Sequence, residues 1–155
     1  MPNPLTLEIC ARRESLPLAL AAVDEFCRAA RADRETAFAL RLVVEEVCMN
    51  LIEHGYAGRS AGEIGLGFEQ SEGELVVTIR DHGVPFDPAQ APQPDLISSA
   101  EARPIGGLGW HLIKNMIDEV DYRSDPQRGN ELRLIRRKRV APHTQGGEGG
   151  TVSEA

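Results

Sequence analysis

Apolar and polar residues alternate along LTLEICA, residues 5–11, the period of a half-buried strand. The period then lengthens. Ser15 stands where it can cap a helix running to about Ala32, with Pro17 in its first turn, where a missing N–H does no harm. Asp33 can cap a second helix reaching His54, and Gly55 follows where helices often stop in a left-handed residue. Residues 63–70 and 74–81 alternate again around Glu72-Gly73, a hairpin signal. A helix over 110–118 (WHLIKNMID) and strands over about 120–124 and 131–138 complete the pattern, with Pro126 to Gly129 turning between the strands. The predicted order is β-α-α-β-β-loop-α-β-β. It implies an α+β fold, a two-layer α/β sandwich with helices on one face of a mixed, mostly antiparallel sheet. A doubly wound fold would alternate strand and helix throughout.

Two stretches fall outside this pattern. Between Gly83 and Gly109 lie five of the ten prolines, separated by Asp, Gln, Ser and Ala. A loop of that length inside a compact domain is usually functional or mobile. From about Ala141 the chain is small, polar and glycine-rich, the composition of a disordered tail. One domain over residues 1–140 and a tail over 141–155 account for the whole sequence.

Composition narrows the function classes. The 155 residues carry a net charge of −7 with a pI near 5.1, which argues against direct nucleic-acid partners and anionic membranes. No apolar run approaches the roughly 20 residues of a membrane helix. The N-terminal MPNPLTLEIC lacks the charged-then-apolar order of a signal peptide, so the expectation is a cytoplasmic protein. Cys10, Cys27 and Cys48 form no CxxC pair and are expected to be reduced core residues.

Candidate chemistry starts in the second helix. At about 100° per residue, Ala37, Leu40, Val44, Val47, Cys48 and Leu51 share one arc, which packs on the sheet. Glu46, Asn50 and His54 form an adjoining stripe at the edge of that arc. A solvated helix flank accounts for such a stripe. So does a metal and phosphate site, because the Asn side-chain oxygen is a hard, neutral ligand suited to Mg²⁺. A carboxylate one turn earlier can then deprotonate a hydroxyl. Spacing turns Glu45 away from the stripe and leaves Glu53 near it. Asp81-His82-Gly83 directly follows the strand VVTIR, as a polar turn or as an acceptor for an exocyclic amine. Gly106-Gly107-Leu108-Gly109 opens the helix WHLIKNMID, as a hinge or as an anion site of backbone N–H groups. It matches neither the dinucleotide fingerprint nor a P-loop.

The three motifs occur in the order of the GHKL ATP-binding superfamily. EEVCMNLIEHGY, VVTIRDHGVPFDP and GGLGWHLIKNMIDEVDY resemble the anti-sigma-factor serine kinases, the histidine-kinase-like ATPases of bacterial partner-switching systems. The similarity covers about residues 5–138. The resemblance implies ATP and Mg²⁺ as cofactors, with Asn50 as the metal ligand and Glu46 as catalytic base. It implies that His54 shapes the site, that Asp81 reads the adenine amine, and that Gly83 lies beside the ring. Gly106 would be a hinge, with Gly107, Leu108 and Gly109 around the phosphates and residues 88–105 as an ATP lid. The implied partners are a STAS-type anti-sigma antagonist, which the kinase phosphorylates on serine, and a sigma factor or similar regulator, with homodimerisation by analogy.

Two departures stand out. Relatives often carry a basic residue just before the glycine run, where this chain has Pro104-Ile105 and its nearest basic residue is Arg103. That motivates the alternative of a nucleotide-dependent protein-binding switch with little or no kinase activity. The final turn reads Gly129-Asn130-Glu131 where relatives often have Gly-Thr-Thr, which implies an altered contact on the adenine side.

Overall fold

The computed structural model describes residues 4–56, 62–85 and 114–138. Five strands form one sheet: β1 (Leu5–Cys10), β2 (Glu63–Ser71), β3 (Glu74–Asp81), β4 (Glu119–Asp125) and β5 (Gly129–Arg137). Their order is β1-β2-β3-β5-β4, so β5 lies between β3 and β4. The sheet, expected to be mixed and mostly antiparallel, is antiparallel at every described pairing. Helices α1 (Leu16–Ala29) and α2 (Arg34–Asn50) pack on each other and share one core with the sheet.

Register explains the core. Leu7, Leu66, Ile79, Leu132 and Tyr122 are successive cross-strand partners, and so are Leu5, Phe68, Val77, Leu134 and Val120. Side chains alternate across a strand, so these rows share a face. Leu40, Val43, Val44, Val47 and Cys48 of α2 are buried in the same cluster, with Ala19, Val23 and Cys27 of α1. Phe26 of α1 meets Phe68 with ring centroids 5.2 Å apart.

Local chemistry sets the helix ends. Asp33 caps α2, its carboxylate accepting the Thr36 N–H at 2.7 Å. Ser15 makes no capping bond, because a 3₁₀ turn over Arg13–Ser15 runs directly into α1. The first helix stops three residues before Ala32. Arg31 adopts a left-handed φ of 54°, and the Ala32 N–H reaches the Cys27 carbonyl, the six-to-one closure of a Schellman turn. The α-helical part of the second helix ends at Asn50 rather than His54, and Leu51–Gly55 continue as a π-turn. Gly55 is not left-handed: the only glycines with positive φ among the described residues are Gly73 and Gly129. The π-turn closes with the Tyr56 N–H on the Leu51 carbonyl at 2.9 Å, which satisfies the helix end without a left-handed residue.

The hairpin turns at Gly73, with φ +94°. The strands β4 and β5 each run longer than their alternation predicts. Of the predicted 110–118 helix, only residues 114–116 are both described and helical. The 88–105 segment and the 141–155 tail lie outside the described residues. Cys27 and Cys48 are buried, and burial pushes their thiols up to about 11 and about 12 respectively. Cys10 is exposed rather than core, because it faces outward on the edge strand β1. Among the described residues no helix is long and apolar enough to cross a membrane.

Candidate functional site

The π-turn that follows α2 meets the end of β3, which pairs with the start of β5. Glu46 and Asn50 are half-buried on the flank of α2, and His54 is exposed on the π-turn. Burial, and then the negative charges of Glu45 and Glu53, raise the Glu46 carboxyl above its ordinary value. Asn50 caps no turn and makes no side-chain hydrogen bond among the described residues. Glu53, which spacing alone left near the stripe, is held by Arg13 at 2.7 Å. Glu46 is the carboxylate left facing Asn50's turn without a cationic partner among the described residues.

One row of cross-strand partners changes from apolar to polar. It runs Ile9, Ile64, Asp81, Asn130, Ser124 across all five strands. Asp81 and Asn130 are 6% and 4% exposed, a depth at which polar groups require partners. Asp81 Oδ1 accepts from the Gly83 N–H at 2.8 Å and from Asn130 Nδ2 at 2.9 Å. The same Nδ2 donates to the Gly83 carbonyl at 2.9 Å, and Ser124 Oγ donates to Asn130 Oδ1 at 2.8 Å.

Two contacts lock the helix flank to this row. The Tyr56 hydroxyl donates to the Glu63 carbonyl and accepts the His82 N–H, both at 2.7 Å. It thereby joins the π-turn to the start of β2 and the end of β3. The Val84 N–H bonds the Gly55 carbonyl at 2.8 Å. A Cβ on Gly83 would lie 2.5 Å from that same carbonyl oxygen, so backbone packing requires glycine there. Gly129, with φ +86°, is pressed as closely on the Asp81 carbonyl and the His82 ring.

The described structure thus brings the π-turn after Asn50 against the Asp81-His82-Gly83 segment, keeps Glu46 and Asn50 half-buried on the flank of α2, and leaves His54 toward solvent. Gly106, Gly107, Leu108 and Gly109 lie outside the described residues, as does Pro104-Ile105. Sequence reasoning missed Tyr56, Ser124 and Arg13 as contributors. Asn130 stood out only as a departure, although its parity with Leu132 and Leu134 on β5 marks it as a polar residue on the buried face.

The donor set bears on metal chemistry. Among the described residues no three His, Cys, Asp or Glu side chains cluster to hold an ion. One half-buried amide oxygen, without a competing partner, suits a cation that keeps waters and takes its other ligands from phosphates, as Mg²⁺ does. The residues fit a metal that arrives with a nucleotide rather than a standing metal centre.

Comparisons with known proteins show the family and the fold. The histidine kinase-like ATPase domain family matches residues 9–136. The serine-protein kinase RsbW of Listeria monocytogenes is 30% identical over 124 residues, covering 77% of this chain and 79% of the relative. The anti-sigma F factor of Bacillus subtilis is 24% identical over 136 residues, covering 88% and 93%. The crystal structure of the RsbU and RsbW domains of a Mycobacterium tuberculosis protein superposes with a TM-score of 0.61 at 16% identity. It covers 87% of this chain and 32% of that longer one, and supports the fold alone.

Proposed function

The chain belongs to the histidine kinase-like ATPase domain family, among the anti-sigma-factor serine kinases, and from that premise we propose that it is an ATP- and Mg²⁺-dependent protein-serine kinase. It acts as an anti-sigma factor in the cytoplasm, phosphorylating a STAS-type antagonist and binding a sigma factor or similar regulator. The observation that carries this reading is the tie between the π-turn that follows α2 and the end of β3, through the Val84 N–H on the Gly55 carbonyl and the His82 N–H on the Tyr56 hydroxyl. A half-buried Glu46 and Asn50 stand on the helix flank, and a buried, hydrogen-bonded Asp81 lies at the end of β3.

Asp81 accepts the adenine amine, while Gly83 keeps the backbone close to the ring. The Asn50 amide oxygen would hold Mg²⁺, which when bound would neutralise charge on the phosphate oxygens. The family resemblance assigns the phosphates to Gly107, Leu108 and Gly109, which would meet them with backbone N–H groups. Glu46 accepts the proton of the attacking serine hydroxyl. Burial and the neighbouring carboxylates of Glu45 and Glu53 raise its carboxyl above the ordinary value, which makes its ionised form a stronger base than a surface glutamate. Phosphoryl transfer depends chiefly on positioning and charge stabilisation, which this set supplies.

Incubation with Mg-ATP and STAS-domain proteins of the same organism tests the reading. Phosphoserine on one of them, abolished by Glu46→Gln, is the expected result. Nucleotide binding without any phosphoserine overturns the kinase and leaves the nucleotide-dependent binding switch, the alternative that Pro104-Ile105 motivates.

A further inference from the structure

Asp81 differs from an isolated carboxylate because its two oxygens have different surroundings. Oδ1 holds two donors, the Gly83 N–H and Asn130 Nδ2. Oδ2 takes no hydrogen bond among the described residues, and it is not among the sealed, unpartnered side-chain atoms of the fold. It is therefore an open acceptor at the edge of a buried row.

The Asn130 amide can take only one orientation. On one side it faces Asp81 Oδ1 and the Gly83 carbonyl, both of which only accept, so the nitrogen must lie there. On the other side Ser124 Oγ donates to its oxygen. Backbone register fixes all three residues, since Asp81 and Ser124 are the direct cross-strand partners of Asn130.

We infer that Asn130 is a positioning residue that sets base specificity: by occupying Asp81 Oδ1 it leaves one acceptor, suited to a 6-aminopurine nucleotide and not to guanine. The inference rests on the reading of Asp81 as the group that meets the base. A carboxylate with both oxygens available can accept the N1–H and the 2-amino group of guanine together. With Oδ1 taken and the carboxylate plane held by two donors, that paired contact is closed. The remaining Oδ2 accepts a single 6-amino hydrogen and repels the 6-keto oxygen of guanine or hypoxanthine. Ser124 acts one step further out, holding the amide that holds the carboxylate.

Titration of ADP, GDP and IDP with Mg²⁺ into the wild type, Asn130→Ala, Ser124→Ala and Asp81→Ala tests this. Asn130→Ala should weaken ADP about tenfold while GDP weakens less or strengthens, so that the ADP:GDP preference falls about tenfold or more. Ser124→Ala, which removes an exposed hydroxyl, should shift the preference in the same direction by about two- to threefold. Equal weakening of all three nucleotides by both variants, with the preference intact, would mean a purely structural role and overturn the inference. If Asn130→Ala does not fold, an unchanged preference in Ser124→Ala overturns it equally. Asp81→Ala separates the two claims. If it leaves the preference unchanged, the adenine reading of Asp81 itself fails. If it collapses the preference while Asn130→Ala does not, only the role of Asn130 fails.

Discussion

Replacing Tyr56 with phenylalanine removes one oxygen atom and keeps a buried ring. Tyr56 is 8% exposed, so the aromatic packing survives the change. What disappears are two bonds of 2.7 Å, to the Glu63 carbonyl and from the His82 N–H. Each lost bond at a part-buried site costs about 1–2 kcal/mol once desolvation is included, giving about 2–4 kcal/mol together. For a domain of this size that lowers Tm by about 5–15 °C. The two bonds tie the π-turn to β2 and β3, so nucleotide affinity should also fall, by about three- to tenfold. Thermal unfolding followed by circular dichroism measures the first effect, and titration with ADP well below the new Tm measures the second. A Tm loss under about 2 °C would show that the hydroxyl is not a structural tie. A full Tm loss with unchanged ADP affinity would show that the tie does not position the site.

Three further outcomes follow from the same geometry. Gly83→Ala places a Cβ 2.5 Å from the Gly55 carbonyl oxygen, which cannot yield without moving backbone. It should cost about 1–3 kcal/mol in urea unfolding and weaken nucleotide binding. Glu46→Gln should slow serine phosphorylation about a hundredfold or more and leave ATP affinity within about threefold. The same substitution changes stability in a pH-dependent way. The fold raises the Glu46 carboxyl above 4.5, chiefly by burial, so its contribution is favourable below pH 4.5 and is lost as pH rises through the elevated value. Above the elevated value the ionised group costs stability, so Gln should raise Tm slightly there, the effect being small because solvent screens a half-exposed group. The gap should close near pH 4, and a Tm difference independent of pH would refute the electrostatic cause.

The strands and the two helices were legible because their periods are unbroken. The β2–β3 hairpin follows from alternation on either side of Glu72-Gly73, and Asp33 has the capping geometry its position implies. The sequence was a poorer guide where backbone hydrogen bonding decided the outcome. A π-turn and an α-helix carry the same residues at Leu51–Gly55, and only the Tyr56 N–H reaching Leu51 distinguishes them. Ser15 has the right chemistry for a cap, but the preceding 3₁₀ turn already leads into the helix. Cys10 shares its residue type with buried Cys27 and Cys48, yet strand parity turns it outward. The site divides similarly. Glu46, Asn50 and Asp81 could be proposed from spacing and motif order. The Ser124–Asn130–Asp81 row depends on β5 inserting between β3 and β4, a pairing that adjacent-strand reasoning does not supply.

Asn50, as the ligand that would make nucleotide binding depend on Mg²⁺, is the centre of the proposed mechanism. Calorimetric titration of ATP into the wild type and Asn50→Ala, with and without Mg²⁺, measures that dependence. The account predicts that Mg²⁺ tightens ATP binding to the wild type by about tenfold or more, and that Asn50→Ala loses most of this gain. Because Asn50 is half-buried outside the main core, the Tm of the nucleotide-free variant should stay within about 2 °C of the wild type. An Asn50→Ala protein that keeps its Mg²⁺ dependence, or one that unfolds while its folded fraction binds ATP unchanged, would contradict the account.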